Sequence, residues 1–141
     1  MMQRWGLAGA LGVWLWACPV GALESRTVQG ELTADDEKAG DRFVDLYQFS
    51  GQAGDKVAIE ARSKNLDTFI FLFDSTSEDL ATDNNSSDGT NSLLVFELPK
   101  TGQYLIAVST AVPNQLGKYE LSWRTATQVD QWRVEASQFN L

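Results

Sequence analysis

The 141-residue chain is 43% hydrophobic and 21% charged, which gives one domain enough apolar material for a core and rules out intrinsic disorder. Its formal net charge of -8 and pI near 4.4 exclude a nucleic-acid partner, because phosphate binding needs concentrated Lys and Arg. With no His, and with the single Cys at position 18, the chain lacks the parts for a Ser-His-Asp triad, a His general base, the usual zinc sites or a disulfide framework.

Residues 1–22 read as an export signal: Arg4 supplies a positive start, Trp5–Ala17 is apolar, and Val20-Gly21-Ala22 is a small-residue cleavage site. The apolar run is too short for a membrane span, which takes about 20 residues. Cleavage before Leu23 predicts a soluble periplasmic or secreted protein. The alternative is lipidation of Cys18 within Leu15-Trp16-Ala17-Cys18, although Trp16 fits a lipobox poorly. Membrane attachment is expected only in that second case.

Residues 23–124 then read as one all-β domain. Val28, Gly30 and Leu32 alternate with polar residues in a first strand, and 33–41 is a polar connection. Arg42–Phe49 places Phe43, Asp45, Tyr47 and Phe49 on one face and Val44, Leu46 and Gln48 on the other. A Gly-rich turn at 50–55 leads to Lys56–Arg62, whose Val57, Ile59 and Ala61 alternate with Lys56, Ala58, Glu60 and Arg62 as in a half-buried antiparallel strand.

The next strand carries Phe69, Phe71 and Phe73 on one face and Ile70 and Leu72 on the other, so it is expected to be central and buried. On that reading Phe71→Ala costs about 3–5 kcal/mol. Residues 74–92 form a long polar loop, followed by strands Leu93–Leu98, Gln103–Thr110 and Lys118–Arg124. Short strands with no helical pattern between them predict an antiparallel β-sandwich, jelly-roll-like, of about seven to eight strands. In the extension 125–141, Val129, Trp132, Ala136 and Phe139 share a helical face, while Trp132, Val134 and Ala136 equally share a strand face. Trp132 or Phe139 is expected to pack back on the sandwich.

Asp67, Asp74, Asp83, Asn85 and Asp88 are the candidate metal ligands, and Ca2+ is the candidate ion, since calcium takes 6–8 oxygen ligands from carboxylates, amides and backbone. No EF-hand is present: counted from Asp83, Gly89 falls one place late and no Glu follows at the twelfth position. The competing reading is an ordinary solvated turn. Millimolar calcium is expected to raise the melting temperature, Asp83→Ala to remove that rise, and identical melts in EDTA and in calcium to return the loop to a plain turn. No catalytic residue is assigned; Asp45 and Asp67, on otherwise apolar strand faces, are the carboxylates a hydrolase would use. The aromatic residues Tyr47, Phe69, Phe71, Phe73, Tyr104, Tyr119 and Trp123 are expected in the core rather than on a sugar-stacking platform.

The stretches Gly30-Glu31-Leu32, 45–49, 54–59, 66–74, Asp83-Asn84-Asn85, 102–108 and 117–121, in that order, resemble the bacterial pre-peptidase C-terminal domain. That resemblance covers about residues 28–124 and implies a secreted β-sandwich module of the kind appended to extracellular proteases. The family commonly shows Asn-Asp-Asp where this chain has Asp83-Asn84-Asn85, which lowers the carboxylate count. The chain is expected to be a stand-alone version. Its expected function is an exported, non-catalytic module that binds an unknown protein or polysaccharide of the cell envelope. The alternatives are an accessory or inhibitory partner of a separately encoded secreted protease, implied by the resemblance, and a hydrolase acting through Asp carboxylates.

Overall fold

A computed structural model describes residues 23–83, 87 and 89–139. The expected export signal with Cys18, and the candidate ligands Asn85 and Asp88, lie outside them. Among the described residues nine strands and one helix form: β1 Arg26–Leu32, β2 Glu37–Ala39, β3 Arg42–Gly51, β4 Lys56–Arg62, β5 Thr68–Asp74, β6 Asp79–Asp83, β7 Ser92–Glu97, β8 Gly102–Thr110, β9 Gly117–Thr125 and α1 Gln128–Phe139. One sheet runs β1-β9-β4-β7 and the other β2-β3-β8-β5-β6, with every pairing antiparallel. The expected sandwich is therefore the observed one.

The core follows from the alternation. Val57, Ile59 and Ala61 of β4, Ile70 and Leu72 of β5, Ile106 and Val108 of β8 and Leu121 of β9 are fully buried where the two inner faces meet. Tyr104, Tyr119 and Trp123 join them, and Phe49 stacks on Tyr104 with ring centroids 5.6 Å apart. Gly54 at φ +91° makes the turn between β3 and β4, where its N–H donates to the Leu98 carbonyl at 2.8 Å.

Four expectations are corrected. The connection 33–41 holds the short edge strand β2, whose three residues are all exposed. The loop 74–92 contains β6, which pairs back on β5 as a hairpin, so less of it is loop than its polar composition implies. Strand β4 is not half-buried: Ala58 and Glu60 on its outer face are buried as well.

The fourth correction concerns the tail, which folds as α1. Thr127 and Asp130 form its capping box: the Asp130 N–H donates to Thr127 Oγ1 at 3.2 Å, and the Thr127 N–H donates to the Asp130 carboxylate at 2.8 Å. The helix docks through charge rather than through its apolar stripe. Arg124 grips the Asp130 carboxylate with both guanidinium nitrogens, at 2.9 and 3.0 Å, and Arg133 reaches Glu60 at 2.6 Å. Trp132, one of the two residues expected to pack inward, is 59% exposed, and Val129 on the same helix is 58% exposed.

Candidate functional site

The predicted ligands divide between two ends of the molecule. Asp67 precedes β5 and Asp74 ends it, which at about 3.3 Å per residue separates them by roughly 23 Å. A single calcium ion, whose ligands all lie within about 2.6 Å of it, is not shared across that distance. Asp74 is occupied locally: its Oδ1 accepts from the Thr76 N–H, the Thr76 hydroxyl and the Glu78 N–H at 2.9, 2.7 and 3.0 Å, closing the β5–β6 turn. The Thr76 and Glu78 hydrogen bonds hold its carboxyl below the usual carboxylate range.

Asp83 faces the other end, since it pairs with Ile70, and its Oδ2 accepts from the Leu93 N–H at 3.0 Å. The Asp67 backbone is fixed by Gln115 and Ala111. The calcium expectation thus rests on Asp67 and Asp83, with Asn85 and Asp88 outside the described residues. Among the described residues no three acidic side chains gather in a group suited to a metal ion.

Asp45 is built into the interior. Tyr119 donates to its carboxylate at 2.6 Å, and the Tyr119 and Tyr47 hydroxyls lie 2.5 Å apart. Burial raises the Asp45 pKa, the Tyr119 hydrogen bond opposes that rise, and Asp36 adds to it. Burial likewise raises both tyrosines. A Cβ at Gly30 would collide with both hydroxyls, so the first strand lies directly over the trio. These groups brace β1 against β3 through Gly30.

The outer face of the five-stranded sheet is different. Phe69, Phe71 and Phe73 are only half-buried there and stack along β5, with centroids 4.5 and 6.2 Å apart and ring planes within 15°. Their faces cover one another, so the ladder presents ring edges. A flat sugar-stacking surface of the kind weighed against a core position is therefore not formed by Phe71. Across the sheet Phe73 pairs with Leu105, Phe71 with Ala107, and Ala107 in turn with Leu46, which is 62% exposed. Asp79 beside Phe73, together with exposed Glu78, gives the ladder's hairpin side an acidic edge.

An apolar patch rimmed by charge marks an interaction surface, whereas scattered single apolar residues do not. The sequence reading separated Leu46 from the core face of its strand but missed the patch, because alternation assigns two faces without saying which is covered.

Residues 43–110 match the family model described as the bacterial pre-peptidase C-terminal domain. A probable subtilase-type serine protease of Deinococcus radiodurans is 34% identical over 74 residues, which are 49% of this chain and 10% of that protein. The match therefore spans about a tenth of that curated relative. Among solved structures, the pre-peptidase C-terminal domain of a Bacillus anthracis collagenase superposes with a TM-score of 0.56 at 21% identity, covering 71% of this chain and 89% of that one. Aeromonas hydrophila PliG, a periplasmic inhibitor of g-type lysozyme, gives 0.55 at 19% identity, covering 75% and 89%. At such identities these two likenesses establish the fold alone.

Proposed function

We propose that this chain, which belongs through residues 43–110 to the bacterial pre-peptidase C-terminal domain family, is an exported, non-catalytic module that binds another protein through the outer face of its five-stranded sheet. The observation that carries this reading is the half-exposed Phe69-Phe71-Phe73 ladder beside the exposed Leu46. Central apolar anchors inside a charged rim are how protein interfaces concentrate their binding energy. The acidic edge and the net charge of -8 select a partner with a basic rim, because two copies of this face would repel each other.

Export is supported by the Trp5–Ala17 run and by the family. An accessory or inhibitory role toward a secreted enzyme follows the same line, since one relative carries its similar segment within a protease and one similar fold is a lysozyme inhibitor. Calcium at the Asp67 and Asp83 end would be structural in this scheme.

Immobilised wild-type protein and Leu46→Asp, offered a subtilase-type protease, a g-type lysozyme and peptidoglycan sacculi, test the reading. Leu46 is exposed and lies outside the core cluster, so the variant is expected to fold. Retention of one of the two proteins, weakened about tenfold or more by Leu46→Asp, is the expected result. Retention on sacculi alone, or equal retention by the variant, would contradict it.

A further inference from the structure

We propose that the opposite sheet carries a second site, a groove that binds an acidic sugar unit of a polysaccharide. The groove has a volume of about 380 Å³ and opens beside the end of β4 and the start of β9. Arg62, Lys64, Lys118, Asn65, Asn91 and Glu120 line it. A neighbouring hollow of about 360 Å³ shares Gln29 and Lys118 with it and adds Glu31, so the two adjoin along β1 and β9. Volumes of this size suit one small-molecule unit each.

Three of the chain's 11 cations meet here although the chain is acidic. Among the described residues, Lys64 and Lys118 belong to no ion pair, whereas Arg62 contacts Glu60 at 2.9 Å through one guanidinium nitrogen and keeps other donors. The two ammonium-bearing segments are fixed to each other. Ser63 Oγ donates to the Lys118 carbonyl at 2.7 Å and accepts from the N–H groups of Asn65 and Leu66 at 3.1 and 3.0 Å. The Ser63 N–H donates to Asn91 Oδ1 at 2.9 Å, which turns the Asn91 amide N–H2 to other use. Three segments are thus tied together before any ligand arrives, which lowers the ordering cost of binding.

Donors and acceptors are interleaved along the groove, since Lys118 lies opposite Glu31 and Arg62 opposite Glu120 across the strands. Lys64, Lys118, Arg62 and the two Asn amides are donors suited to an oxyanion. Glu120, held by Gln29 Nε2 at 2.8 Å, and Glu31 are acceptors suited to hydroxyl groups. A free phosphate would use the donors and be repelled by the glutamates; an acidic sugar uses both.

Calorimetric titration of the exported chain with trigalacturonate, with its neutral methyl-ester counterpart and with inorganic phosphate tests the site. Trigalacturonate should bind and the neutral ester should not. Lys64→Gln and Lys118→Gln should each weaken binding about tenfold, Lys118→Arg should retain it, and Lys56→Gln, at the far end of β4, should leave it unchanged. All three positions are exposed lysines, so these variants fold. Phosphate that displaces trigalacturonate at comparable concentration would overturn the assignment to an acidic sugar. Absence of binding to any acidic probe, equal binding of the neutral ester, or indifference to both Gln variants would overturn the proposal. Because Leu46→Asp leaves the groove intact, failure here is separable from failure of the protein-binding face.

Discussion

Leu72→Ala is expected to destabilise the fold by about 3–5 kcal/mol, whereas Phe71→Ala, its neighbour on the same strand, should cost only about 1–2 kcal/mol. Leu72 is fully buried between the sheets, so its truncation loses transfer energy and leaves a cavity that close-packed neighbours fill only in part. Phe71 loses stacking against Phe69 and Phe73 on an open face, where solvent replaces the ring and no cavity forms. Midpoints of chemical denaturation report both values. Equal costs would mean that the outer face is covered, and the protein-binding surface would go with it.

The second large effect is expected at the helix clamp. Arg133→Ala should cost about 2 kcal/mol at neutral pH, because Glu60, with a side chain only 8% exposed, loses its 2.6 Å pair with Arg133 and keeps only Arg62 and, at 3.5 Å, Arg124, while Asp130 stays held by Arg124. Burial pushes the Glu60 pKa up, but hydrogen bonds from Arg133 and Ser87 and the nearby charge of Arg62 bring it below 4.5 on balance. A depressed folded value stabilises the protein above the unfolded pKa, and that contribution disappears as pH falls through the folded value. The gap between wild type and Arg133→Ala should therefore be full at pH 7 and should shrink as pH drops below 4.5. A gap that is constant with pH would show that Arg133 acts by packing alone.

These two effects mark where sequence reading succeeds and where it stops. The alternation in Lys56–Arg62, Gln103–Thr110 and Lys118–Arg124 depends on local pleating and reads directly as strands. It does not say what lies against each face. Glu60 is buried where a helix far along the chain brings Arg133 to it, whereas Phe71 on the other sheet is left half-buried. Strand β6 offers only Leu80 and Ala81 as apolar residues, too few to stand out in a polar stretch. The helix itself was legible in one detail, Thr127 followed three residues later by Asp130, a capping signal that separates helix from strand more sharply than the ambiguous spacing of Val129, Trp132 and Ala136. The candidate ligands were chosen by residue type, which gave no measure of the strand length separating Asp67 from Asp74. Lys64 and Lys118 escaped notice because only the folded chain joins them through Ser63.

The most direct test of the protein-binding face is an NMR titration with whichever enzyme is retained. Resonances of the Leu46 methyls and of the Phe69, Phe71 and Phe73 rings should shift, while those of the exposed Val129 on the far sheet's helix stay in place. Shifts confined to Val129 and Trp132, with the Phe ladder unmoved, would contradict the account.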